Sequence, residues 1–69
     1  MKPETMARLN AWIDSNIVHQ CTFGHGPTSG QRYMCKLTRY HEPCGYGQGP
    51  DFDVAINAAL DDAMKEADR

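Results

Sequence analysis

Long apolar runs are absent from these 69 residues. No stretch approaches the roughly 20 consecutive apolar positions that cross a bilayer, which excludes a membrane-spanning helix. The opening residues Met1-Lys2-Pro3-Glu4-Thr5 have no apolar core of the kind a secretory signal carries, so a cytoplasmic protein is expected. Cysteine is scarce and odd in number. Cys21, Cys35 and Cys44 would leave one thiol over from any disulfide framework, which favours reduced cysteines in a reducing compartment. No CxxC pair occurs, and no P-loop lysine follows a glycine-rich stretch. A strong basic excess is also missing, since the net charge is −2; domains that hold nucleic acid usually show one.

What is present suits one small folded domain spanning 1–69. Hydrophobic residues make up 41% of the chain, well above the range of a disordered tail. A chain this short buries only about 60% of the surface its unfolded form exposes. Helix packing, a metal or self-association into a homodimer would therefore matter to its stability. Charge is uneven along the chain. Residues 1–50 carry Lys2, Arg8, Arg32, Lys36 and Arg39 against Glu4, Asp14 and Glu42. Residues 51–69 carry Asp51, Asp53, Asp61, Asp62, Glu66 and Asp68 against Lys65 and Arg69.

Pro3 suits a first helical turn, and Met6, Leu9, Trp12 and Ile13 recur at helical spacing, which predicts a helix over about 3–15. Residues 17–23 read as a strand with Ile17, His19, Cys21 and Phe23 on one face, and the breaker-rich segment 24–30 reads as a loop. A clearer strand runs from Gln31 to Tyr40, with Tyr33, Cys35 and Leu37 inward and Arg32, Met34, Lys36, Thr38 and Tyr40 outward. Residues 41–45 read as a turn and Tyr46–Gln48 as a short third strand. Asp51 caps a final helix over about 51–67, whose stripe is Phe52, Ile56, Ala59, Leu60, Ala63 and Ala67. The expected class is α+β: a two-layer sandwich, helix–strand–strand–short strand–helix, with both helices on one face of a small antiparallel sheet.

Four side chains have metal-ligand spacing. Cys21 and His25 are C-x3-H, and His41 and Cys44 are H-x2-C; brought together they would close a tetrahedral zinc site. Buried cysteines with surface histidines are the simpler reading, and no cofactor is expected. Cys44 beside His41 lacks a third orienting group for nucleophilic catalysis, so no catalytic residue and no enzyme activity is assigned. The Gly45-Tyr46-Gly47-Gln48-Gly49 stretch does not make a phosphate cradle. Pro50 removes a backbone donor, and Asp51 and Asp53 put negative charge where the anion would sit.

Two surfaces could carry recognition. Asp53, Asp61, Asp62, Glu66 and Asp68 make a negative field on the last helix, suited to a basic protein partner. Arg32, Lys36 and Tyr40 alternate along the outward face of the second long strand, where cations and an aromatic could meet nucleic acid.

The element order, with Gly45-Tyr46-Gly47 leading into an alanine-rich final helix, resembles the double-stranded-RNA-binding fold. That resemblance implies the shape. The family's phosphate-binding lysines are replaced here by Asp51 and Asp53, so the RNA activity is not implied. The segment 31–67, closed by Ala55-Ile56-x-x-Ala59-Leu60, is also similar to small phage-encoded αβ-sandwich proteins. This second resemblance implies an inhibitor or adaptor acting on a host protein in the host cytoplasm, an anti-CRISPR-like inhibitor being the concrete form.

Overall fold

The computed structural model describes residues 2–67, apart from the side chains of Pro27, Glu66 and Ala67. Helix α1 (Pro3–Asp14) is followed by strands β1 (His19–Thr28), β2 (Gln31–Arg39) and β3 (Glu42–Gly49), and then by helix α2 (Phe52–Ala67). The strands form one antiparallel sheet in the order β1-β2-β3, and the two helices pack on the face that carries Cys35 and Leu37. This is a two-layer α+β fold.

Helix α1 starts at Pro3, whose fixed φ suits a first turn and whose missing N–H would have no partner there. It stops at Asp14, and the Ser15 hydroxyl turns back to donate to the Trp12 carbonyl at 2.6 Å. Helix α2 begins behind Asp51, whose Oδ1 accepts the Val54 N–H at 2.9 Å in an N-cap. Its inward stripe, Ala55, Ile56, Ala59, Leu60 and Ala63, is buried together with Leu9, Cys35 and Leu37. At the edge of this core Phe52 meets Phe23 edge-on and Tyr33 at a tilt, with ring centroids 5.4 and 4.4 Å apart.

The glycines of β3 decide how close α2 lies. Successive helix-facing positions on this strand are Gly45, Gly47 and Gly49, because side chains alternate along a strand. A Cβ at Gly47 would stand 2.1 Å from the Ala55 carbonyl oxygen, and one at Gly45 2.5 Å from that of Ala59. The backbone of α2 therefore rests directly on the backbone of β3. The stretch expected as a short strand between turns is the inner part of a full eight-residue strand.

Three boundaries differ from the sequence reading. Strand β1 starts at His19, because Ile17 lies in a turn with 98% of its surface exposed. It continues through the segment read as a loop, leaving Ser29-Gly30 as the connection. Its breakers are absorbed by an irregularity in pairing between His25 and Thr28, where Gly26 and Pro27 lie.

The turn after β2 is Tyr40-His41, not 41–45, and both residues have positive φ, 54° and 65°. Two such residues closing a hairpin are the signature of a type I′ loop, for which Asn-Gly is the favoured sequence. A tyrosine there is strained. Replacing the pair with Tyr40→Asn and His41→Gly is expected to raise stability by about 1 kcal/mol, read as a higher midpoint in urea denaturation.

Candidate functional site

The acidic residues of α2 are working parts of the fold. The line Asp53, Asn57, Asp61 runs along the side of α2 that meets α1. Asp53 Oδ1 accepts the backbone N–H of Lys2 at 2.7 Å. Asp61 Oδ1 pairs with Arg8 Nη2 at 2.6 Å. Between them the Asn57 amide accepts from Arg8 Nη1 at 2.8 Å and donates to the Thr5 hydroxyl at 3.2 Å. On the other flank, Asp62 Oδ2 accepts the Tyr46 N–H of edge strand β3 at 3.0 Å. Asp51, Asp53, Asp61 and Asp62 thus each accept an internal hydrogen bond. The side chain of Glu66, and Asp68 altogether, lie outside the described residues.

The Lys2 amide holds the Asp53 carboxyl below the usual aspartate range, helped by the Thr5 hydroxyl and the Lys2 charge and opposed by desolvation. A depressed folded pKa adds stability that is present above the unfolded value, about 3.9, and is lost as pH falls through the folded one. Thermal melts of the wild type and Asp53→Asn should therefore differ at neutral pH and converge in strong acid.

The proposed zinc ligands do not converge. Register pairs His25 with Tyr33 at one end of β2, whereas His41 lies in the turn beyond Arg39 at the other end. Six strand residues, about 20 Å, separate those ends. Among the described residues no group of three or more His, Cys, Asp or Glu side chains is placed to hold a metal. Cys21 instead lies against Cys35, Sγ to Sγ 3.5 Å.

Residues that sequence reasoning did not assign to a site gather around His19. Its ring stacks on Trp12 with centroids 3.9 Å apart and planes 3° from parallel. Arg39 Nε, which can only donate, lies 3.1 Å from His19 Nε2, so Nδ1 carries the proton and donates to the Trp12 carbonyl at 2.7 Å. This network ties α1 to the end of the β1–β2 ladder. Its sequence signal is slight, because Trp12 and His19 sit on different elements.

The sheet face turned away from the helices carries Arg32, Met34, Lys36 and Thr38 from β2, flanked by Gln20 and Thr22 of β1 and by Tyr46 and Gln48 of β3. Tyr40, expected to complete the basic and aromatic row, is in the turn. Tyr46 takes that place: it is paired in register with Lys36, and its hydroxyl accepts from Gln48 Nε2 at 2.8 Å. Met34 folds towards Gly24, where an added Cβ would come 3.1 Å from its Sδ. Among the described residues no carboxylate belongs to this face of the strands, and neither Arg32 nor Lys36 forms an ion pair. A shallow hollow of about 270 Å³ at the hairpin tip is lined by Arg39, Tyr40, Glu42, Pro43 and Cys44.

No helix among the described residues is long and apolar enough to cross a membrane. No family model, curated protein or solved structure matches the chain.

Proposed function

We propose that this protein is a small binding domain that blocks or redirects a host protein by direct contact, with an anti-CRISPR-like inhibitor from a phage or mobile element as its concrete form. The observation that supports this reading is the uncovered sheet face. It combines Arg32, Tyr46 and Met34, residue types enriched at protein interfaces, with no carboxylate among the described strand residues of that face. The acidic side of α2, the other surface expected from the sequence, has its described carboxylates engaged within the fold. These observations favour docking through the sheet, and charge complementarity then favours an acidic patch on the partner. A nucleic acid is the weaker fit, because two cations on an acidic domain give little of the phosphate neutralisation such binding needs.

Affinity capture from host lysate, followed by titration of the captured protein, tests the proposal. Reversing Arg32→Glu and Lys36→Glu together should weaken binding at least about tenfold, and Tyr46→Ala by a similar factor. Asp61→Asn should leave binding intact. Capture indifferent to the sheet reversals but lost in Asp61→Lys/Asp62→Lys, with the fold retained, would move the interface to α2. Low-salt binding of a labelled single-stranded oligonucleotide, falling steeply as salt rises, would favour the nucleic-acid reading instead.

A further inference from the structure

Cys21 and Cys35 lie on the helix-covered face of adjacent strands, in diagonal positions. Cys21 is opposite Leu37, and Cys35 is opposite Phe23. Their sulfurs are 3.5 Å apart, within hydrogen-bonding range of one another. The two thiols differ in access: Cys35 is fully buried in the core, whereas Cys21 is partly exposed near the edge of the sheet. One sulfur can thus be reached by a small reagent, while the other has no exposed surface and lies against it.

We infer that Cys21 and Cys35 form an oxidant-reactive dithiol, with Cys21 as the sulfur that attacks hydrogen peroxide and Cys35 as the resolving thiol. The thiolate of Cys21 attacks one peroxide oxygen, the O–O bond breaks, and the departing oxygen leaves as water once protonated. Cys21 is then a sulfenic acid. The Cys35 sulfur next attacks the Cys21 sulfur, the S–O bond breaks, and hydroxide leaves as water with the proton from Cys35. Two thiols and one hydrogen peroxide become one disulfide and two waters.

The hydrogen bond between the sulfurs supports these roles. It favours the charged form of Cys21 and disfavours that of Cys35, whose burial acts in the same direction. Bond formation needs the sulfurs to close by about 1.5 Å, from 3.5 Å to the ordinary disulfide length. Diagonal neighbours on antiparallel strands start about 7–8 Å apart at Cα, slightly beyond the usual disulfide span, so β1 must shift a little along β2. Strand β1 is at the edge of the sheet, paired with a strand on one side only among the described residues, so the shift breaks no second ladder.

Exposure of the folded, reduced chain to hydrogen peroxide, followed by alkylation and mass spectrometry, tests the assignment. The expected product has lost two hydrogens and keeps one alkylatable thiol, Cys44. Trypsin should then release residues 9–32 linked to residues 33–36. Cys44→Ser should form the same link. Cys35→Ser, if folded, should accumulate a sulfenic acid at Cys21 that dimedone traps. Three alkylatable thiols after treatment, or a link made through Cys44 in the wild type, would overturn the proposal, and neither result depends on a variant that folds.

Discussion

Gly47→Ala is expected to destabilise the domain by about 3 kcal/mol, the upper end of what overpacking usually costs, or more. The new methyl would meet the Ala55 carbonyl oxygen at 2.1 Å, the Ala59 nitrogen at 2.5 Å and the Ala58 Cβ at 2.9 Å. Two of these are helix backbone atoms, which cannot rotate away as a side chain end can. Relief requires α2 to lift from β3, and lifting it opens the contacts of Ile56 and Leu60 with the sheet. A domain of this length has about 3–10 kcal/mol of total stability, so the substitution removes about a third of it or more and the denaturation midpoint should fall sharply. Gly30→Ala is the control, because nothing lies within 4 Å of its added Cβ and its φ is not positive. Far-ultraviolet circular dichroism during urea titration separates the two: Gly30→Ala should keep the wild-type midpoint, and a Gly47→Ala midpoint equal to it would refute direct seating of α2 on β3.

Leu37→Ala should cost a similar amount, about 2–5 kcal/mol. Leu37 sits on the central strand between Cys21 and Gly45, fully buried under the helix layer. Truncation leaves a cavity that its neighbours fill poorly: the partner on β3 is a glycine with no side chain to move inward, and α2 already rests on the β3 backbone. A loss of less than about 1 kcal/mol, measured by the same titration, would mean that the core collapses more freely than its packing implies.

Either variant also bears on the sheet-face proposal. The outer face is continuous only while β3 stays paired with β2, and that pairing brings Tyr46 beside Lys36. Binding assays on core variants should therefore lose affinity in step with the folded fraction. Arg32→Glu and Lys36→Glu should lose it with the fold intact.

The periodic elements were legible in the sequence for a simple reason. The 3.6-residue stripe of Phe52, Ile56, Ala59, Leu60 and Ala63 and the alternation of Tyr33, Cys35 and Leu37 each repeat a local geometry, so spacing alone assigns the face. The element order and the two-layer class follow from these. Two local signals misled because tertiary pairing outweighed them. Gly24 and Gly26 mark a loop by composition, yet β2 supplies a hydrogen-bonding partner that carries β1 past them to Thr28. Tyr40-His41 has none of the residues a two-residue hairpin favours, so no local signal marks the turn, and β3 begins at Glu42, ahead of the Tyr46–Gln48 stretch that spacing suggests.

The site was less legible, and for one physical reason. Whether an aspartate on an exposed helix face is free or engaged depends on what the fold brings opposite it. Arg8 and Lys2, 53 and 51 residues away in sequence, meet Asp61 and Asp53 only when α1 docks beside α2. The sulfurs of Cys21 and Cys35 meet only through strand register, as do Lys36 and Tyr46. Local spacing thus determined which residues face inward, because periodicity is a property of the chain; which polar groups find partners was decided by packing, because those partners are distant in sequence and near only in the folded molecule.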